Sequence, residues 1–79
     1  MKKTRKPHQR NIIGRRVREA RLRMTPAVSQ EDLAGRGILL DRSAVSRIEG
    51  QERYVMDYEA AAIARALKVS VGWLFGDAL

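Results

Sequence analysis

The 79 residues include no cysteine, which excludes disulfides and thiolate metal sites and leaves nothing to speak for secretion. No apolar run approaches the roughly 18 residues that a membrane span needs. The start M-K-K-T-R-K-P-H-Q-R is basic but lacks the apolar stretch of a signal peptide. The chain therefore reads as cytoplasmic, with no membrane partner. His8 is the only histidine and has no ligand-like cluster beside it, so no metal site is expected. Ser29, Ser43, Ser46 and Ser70 have no candidate His–Asp partners, and the carboxylates show no paired or metal-ligand spacing. An enzyme is not the expectation, and neither a cofactor nor a small-molecule ligand is evident. Strand-like alternation, internal repeats and low-complexity segments are also missing.

Acidic residues are scarce in the first third of the chain. Residues 1–23 carry ten Lys or Arg and one acid, Glu19, for a net +9, whereas residues 24–79 carry a net −2. Two readings stand: attraction to the phosphates of a polyanion, or a basic tail that keeps a small protein soluble. A chain of this size makes one domain, and it buries only about 60% of its unfolded surface, so its apolar residues should serve one core.

Residues 1–10 have no apolar periodicity and contain Pro7, so they read as a flexible basic arm. The folded domain is expected over 11–76, with a short tail at 77–79. Asn11 is placed to cap a first helix running to about Arg23, with Ile13, Val17, Ala20 and Met24 as its inward stripe and Arg21 near the edge of it. Thr25-Pro26-Ala27 breaks that helix. Ser29 and Asp32 have capping-box spacing and open a second helix ending near Arg36, with Val28 and Leu33 as its hydrophobic staple. Ile38-Leu39-Leu40 reads as an apolar connector, and Asp41 as the cap of a third helix that Gly50 stops. A fourth helix is expected over Tyr58 to Lys68 with Asp57 as cap, and a fifth over Val71 to Phe75 with Ser70 as cap. Trp73, Leu74 and Phe75 would close the core.

The third helix is the informative one. At about 100° per residue, Asp41, Ala44, Val45 and Ile48 share one side, and Arg42, Ser43, Ser46 and Arg47 share the other. That second face holds no acid. Arginine presents a donor fork suited to guanine in the major groove, and serine reaches bases or phosphates. A solvated face that happens to lack acids explains the same four residues.

The pieces V-R-E-A-R, S-Q-E-D-L-A, S-A-V-S-R-I-E and I-A-R-A-L-K-V-S-V-G-W-L, in this order, resemble the Cro/C1-type helix-turn-helix domains of phage repressors and XRE-type regulators. The resemblance covers roughly residues 12–75. It implies an all-α, compact five-helix bundle of the lambda repressor-like DNA-binding type. Function would be sequence-specific binding of double-stranded DNA as a transcriptional regulator, more a repressor than an activator. The third helix, about 42–49, would enter the major groove, with Arg42, Ser43, Ser46 and Arg47 at base-reading positions. Gln30, Arg53 and Tyr54 fall where phosphates are met, and Lys2, Lys3, Arg5, Lys6 and Arg10 of the arm are further phosphate candidates. Arg21 and Glu49 match a pair that forms a buried, fold-holding salt bridge in similar domains. A homodimer on a palindromic operator is the expected partnership. The alternative is a protein-interaction module, such as an antitoxin-like partner that also binds DNA. Two departures from the pattern stand out: the connection between the first two helices is longer, and about one extra residue lies between Leu33 and Glu49.

Overall fold

Polar side chains that accept from free backbone N–H groups decide where most of the helices begin. The computed structural model describes residues 9–76. It contains α1 (Gly14–Arg23), α2 (Gln30–Ala34), α3 (Arg42–Glu49), α4 (Asp57–Leu67) and α5 (Val71–Leu74). No strand occurs among the described residues, and no helix there is long and apolar enough to cross a membrane. Ser29 Oγ accepts from the Asp32 amide at 3.0 Å, Asp41 Oδ1 from Ala44 at 2.8 Å, and Ser70 Oγ from Trp73 at 2.9 Å. Each such cap contributes about 1 kcal/mol.

Several expected boundaries move. α1 starts at Gly14, and Ile13 takes the cap position without a side-chain bond. Asn11 still serves this helix, because its Oδ1 accepts from the amides of Ile13 and Gly14 at 3.1 and 2.8 Å. α2 ends at Ala34, short of Arg36, where the Gly35 amide turns back onto the carbonyls of Glu31 and Asp32. Asp57 is the first residue of α4 and not its cap. Met56 takes that place, and its amide donates to Glu59 Oε1 at 2.9 Å. Lys68 ends α4 in a left-handed conformation, and α5 stops at Leu74. Nor do residues 9 and 10 form a free arm. The Arg10 amide donates to the Gln51 carbonyl at 2.8 Å, and Gln9 Nε2 donates to Gln51 Oε1 at 3.1 Å. The rest of the expected arm and the 77–79 tail lie outside the described residues.

One core joins the helices, with α1 packed against α3, α4 and α5, and α2 packed on α3. Val17, Leu33, Ile48 and Leu74 are fully enclosed, and the small Ala60 and Ala64 bring α4 close. Burying each large aliphatic side chain contributes about 1.5–3 kcal/mol. The expected closure of the core holds for Leu74 and, packed against the core from its edge, for Trp73, but not for Phe75. Leu74 is buried, but Trp73 is half-buried and Phe75 is 49% exposed. Trp73 also lies under two cations, its ring 4.4 Å from the Arg16 guanidinium and 5.8 Å from that of Arg23. The apolar connector also splits. Ile38 and Leu40 enter the core, whereas Leu39 is 95% exposed.

Candidate nucleic-acid interface

The buried stripe of α3 sets its outward face. Ala44, Val45 and Ile48 are in the core, so Arg42, Ser43, Ser46 and Arg47 project to solvent. None of these four side chains hydrogen-bonds or ion-pairs with another described residue. Asp41, grouped with the inward residues by periodicity, is exposed and occupied as the α3 cap.

Two sets of contacts hold that helix. At Glu49 the carboxylate receives Arg21 Nε at 2.8 Å and a second guanidinium nitrogen at 3.0 Å, with side-chain exposures of 9% for Arg21 and 5% for Glu49. Arg21 also donates to the Val28 carbonyl at 2.9 Å, and Gln30 Nε2 donates to Glu49 Oε1 at 3.0 Å. One network therefore ties α1, the start of α2 and the end of α3 together. No buried side-chain nitrogen or oxygen among the described residues lacks a partner, which is the condition for an enclosed charge pair to be tolerated.

The second set had no signal in the sequence. Asn11 Nδ2 donates to the carbonyls of Ile48 at 3.2 Å and Arg53 at 2.8 Å, while Gln51 Nε2 donates to the Asn11 carbonyl at 3.2 Å. Gly14 completes the seam. A Cβ built there would lie 2.2 Å from the Ile48 carbonyl oxygen, so only glycine lets the start of α1 rest on the last turn of α3.

The remaining candidates are placed differently from one another. Gln30 spends one amide hydrogen on Glu49. Arg53 makes a two-pronged contact with Glu59 at 3.0 and 3.2 Å and also donates to the Tyr54 carbonyl at 3.0 Å. Tyr54 is 61% exposed, with the Arg10 guanidinium 5.4 Å from its ring centre. Lys2, Lys3, Arg5 and Lys6 lie outside the described residues. Arg15 and Arg18, which lie off the apolar stripe of α1 and carry part of the net charge of residues 1–23, are exposed. Together with Leu22 they border a depression of about 510 Å³ that runs to Glu49 and Gln51, so cationic α1 adjoins the end of α3.

The Arg53–Glu59 pair has a consequence for acid stability. Hydrogen bonding from Arg53 holds the Glu59 carboxyl below the usual carboxylate range, with a smaller contribution from the Met56 amide, and these outweigh the opposing effect of burial. A depressed folded-state pKa means stabilisation that is complete above the unfolded value of about 4.3 and lost as the pH falls through the folded one. Glu59→Gln is expected to be less stable than the parent chain near neutrality, with the gap closing in acid. Urea unfolding of both chains at about pH 7 and about pH 3 checks this.

Among solved structures, the chain matches the P22 c2 repressor protein, crystallised in complex with synthetic operator 9T in the presence of Tl+. The TM-score is 0.72 at 23% sequence identity, over 84% of this chain and 96% of that one. The chain has the P22 c2 repressor fold. At that identity the likeness is one of architecture, and it spans nearly all of the repressor chain. A scan of protein-family models and a search of curated proteins give no match.

Proposed function

We propose that this chain binds duplex DNA sequence-specifically as a transcriptional repressor, with α3 in the major groove. The observation that carries the reading is the α3 face of Arg42, Ser43, Ser46 and Arg47. It is exposed, free of acids, without side-chain partners among the described residues, and held by a buried ion pair at one end. Side chains left uncommitted in this way are available to base edges, and a helix locked into the core presents them in a fixed geometry. The P22 c2 repressor fold, known there in complex with an operator, supports the assignment. Arg15 and Arg18, with the basic residues of 1–10, supply attraction to phosphate that is independent of sequence, whereas the charge of Arg53 is balanced by Glu59.

The proposed unit on DNA is a homodimer on two half-sites. Ile12, Tyr54 and Phe75 come from three distant parts of the chain and are each about half exposed or more, at 51%, 61% and 49%. They meet around a cavity of about 230 Å³ that Val55 also lines. An exposed apolar cluster of this kind suits a second copy. The same cluster is what an antitoxin-like reading would use for a different protein partner.

Selection of bound sites from random duplexes tests the proposal. Enrichment of a palindrome with half-sites about one helical turn apart is the expected result. Absence of any enriched sequence would move the weight to protein docking. Arg47→Ala is expected to lose roughly 1–3 kcal/mol on the selected site and to relax preference at one base pair. Competition titrations against single-position variants measure it.

A further inference from the structure

Leu39 combines two properties that a folded chain ordinarily avoids. Its φ is 60°, in the left-handed region where a bulky side chain is crowded and glycine is favoured. Its side chain is 95% exposed, so no packing compensates for that strain. The neighbours Ile38 and Leu40 are buried at 3% and 8%, so the turn exists to send them inward. Glycine would make the same turn with less strain. A large apolar group kept in a strained, solvent-facing position points to a use outside the fold.

The surroundings narrow that use. Leu39 stands two residues before Asp41, the cap of α3, and three before Arg42. It borders a depression of about 420 Å³ together with Tyr58, itself 66% exposed, Arg65, and Glu59, whose carboxylate is taken up by Arg53. Arg42 and Arg65 have no ion-pair partner among the described residues. An apolar side chain flanked by uncommitted cations suits a duplex groove better than another protein's core. The apolar feature that the major groove offers is the thymine methyl group.

We infer that Leu39 determines specificity by packing against a thymine methyl group at the edge of the bound site. This rests on the DNA-binding reading above. The test uses the full chain and its selected duplex, with thymines replaced by uracil one at a time so that only a methyl group is removed. The parent chain is expected to lose about fourfold in affinity at one position, the worth of one buried methyl group. Leu39→Gly is expected to be indifferent to that replacement. Its unfolding temperature should be level with the parent's or higher, because glycine relieves the left-handed strain. Affinity and stability would then part ways, which a merely structural leucine does not allow. Equal losses in both chains at every thymine, or no loss at any, would overturn the role of Leu39 and leave DNA binding standing. A parent chain that selects no sequence at all would sink both.

Discussion

Arg21→Ala is expected to lower folding stability by about 3–5 kcal/mol, the cost of stranding one member of a buried pair. Glu49 would keep only the Gln30 amide, in a site where its side chain is 5% exposed. Solvent screening offers little relief at that depth, so the upper part of the range applies more readily than it would to a surface pair. For a domain of this size the loss corresponds to a fall in Tm of at least about 12 °C. Removing both charges separates the causes. Arg21→Met combined with Glu49→Leu leaves no uncompensated ion, so most of the loss should be recovered. Recovery stays incomplete because the Val28 carbonyl and the Gln30 amide lose their partners. A double variant as unstable as Arg21→Ala would show that packing, and not the stranded charge, causes the damage. Equilibrium denaturation of the three chains decides between these outcomes.

Gly14→Ala sets two effects of opposite sign against each other. Alanine improves helix propensity by about 1 kcal/mol at an interior position, and by less in a first turn. Against that, the new Cβ would stand 2.2 Å from the Ile48 carbonyl oxygen and 3.0 Å from the Glu49 carbonyl oxygen, both backbone atoms that cannot rotate away. Overpacking of this kind typically costs about 1–3 kcal/mol, so net destabilisation is the expected result. Relief requires α1 and the last turn of α3 to move apart. Binding to the selected duplex should therefore weaken more than the stability loss accounts for. A variant with parental denaturation midpoint and parental affinity would mean that the seam is softer than its spacing indicates.

Much of the fold was legible because its signals are local. Ser29, Asp41 and Ser70 act within three residues of themselves, and the α1 stripe of Ile13, Val17 and Ala20 needs only the helical period. The outward α3 face follows from the same period. What escaped is non-local. Asn11 looks like an ordinary cap until Ile48 and Arg53 arrive from 37 and 42 residues away. Gly14 looks like a poor helix residue until α3 lies against it. Phe75 reads as a core residue on apolarity alone, but a bundle this small encloses Leu74, packs Trp73 at the core's edge and leaves Phe75 exposed. Apolar character shows that a residue prefers burial; it does not show that room exists.

Trp73 is the only tryptophan in the chain. With Arg16 and Arg23 against its ring, it sits on α5, which packs mainly on α1 and α4. The molecule thus carries one tryptophan reporter, whose surroundings change when α5 leaves its place on α1 and α4. It stands apart from the α3 face proposed to meet DNA. Its emission can follow unfolding of the variants above without a label, and the same signal, watched during DNA titration, separates loss of the fold from loss of the complex.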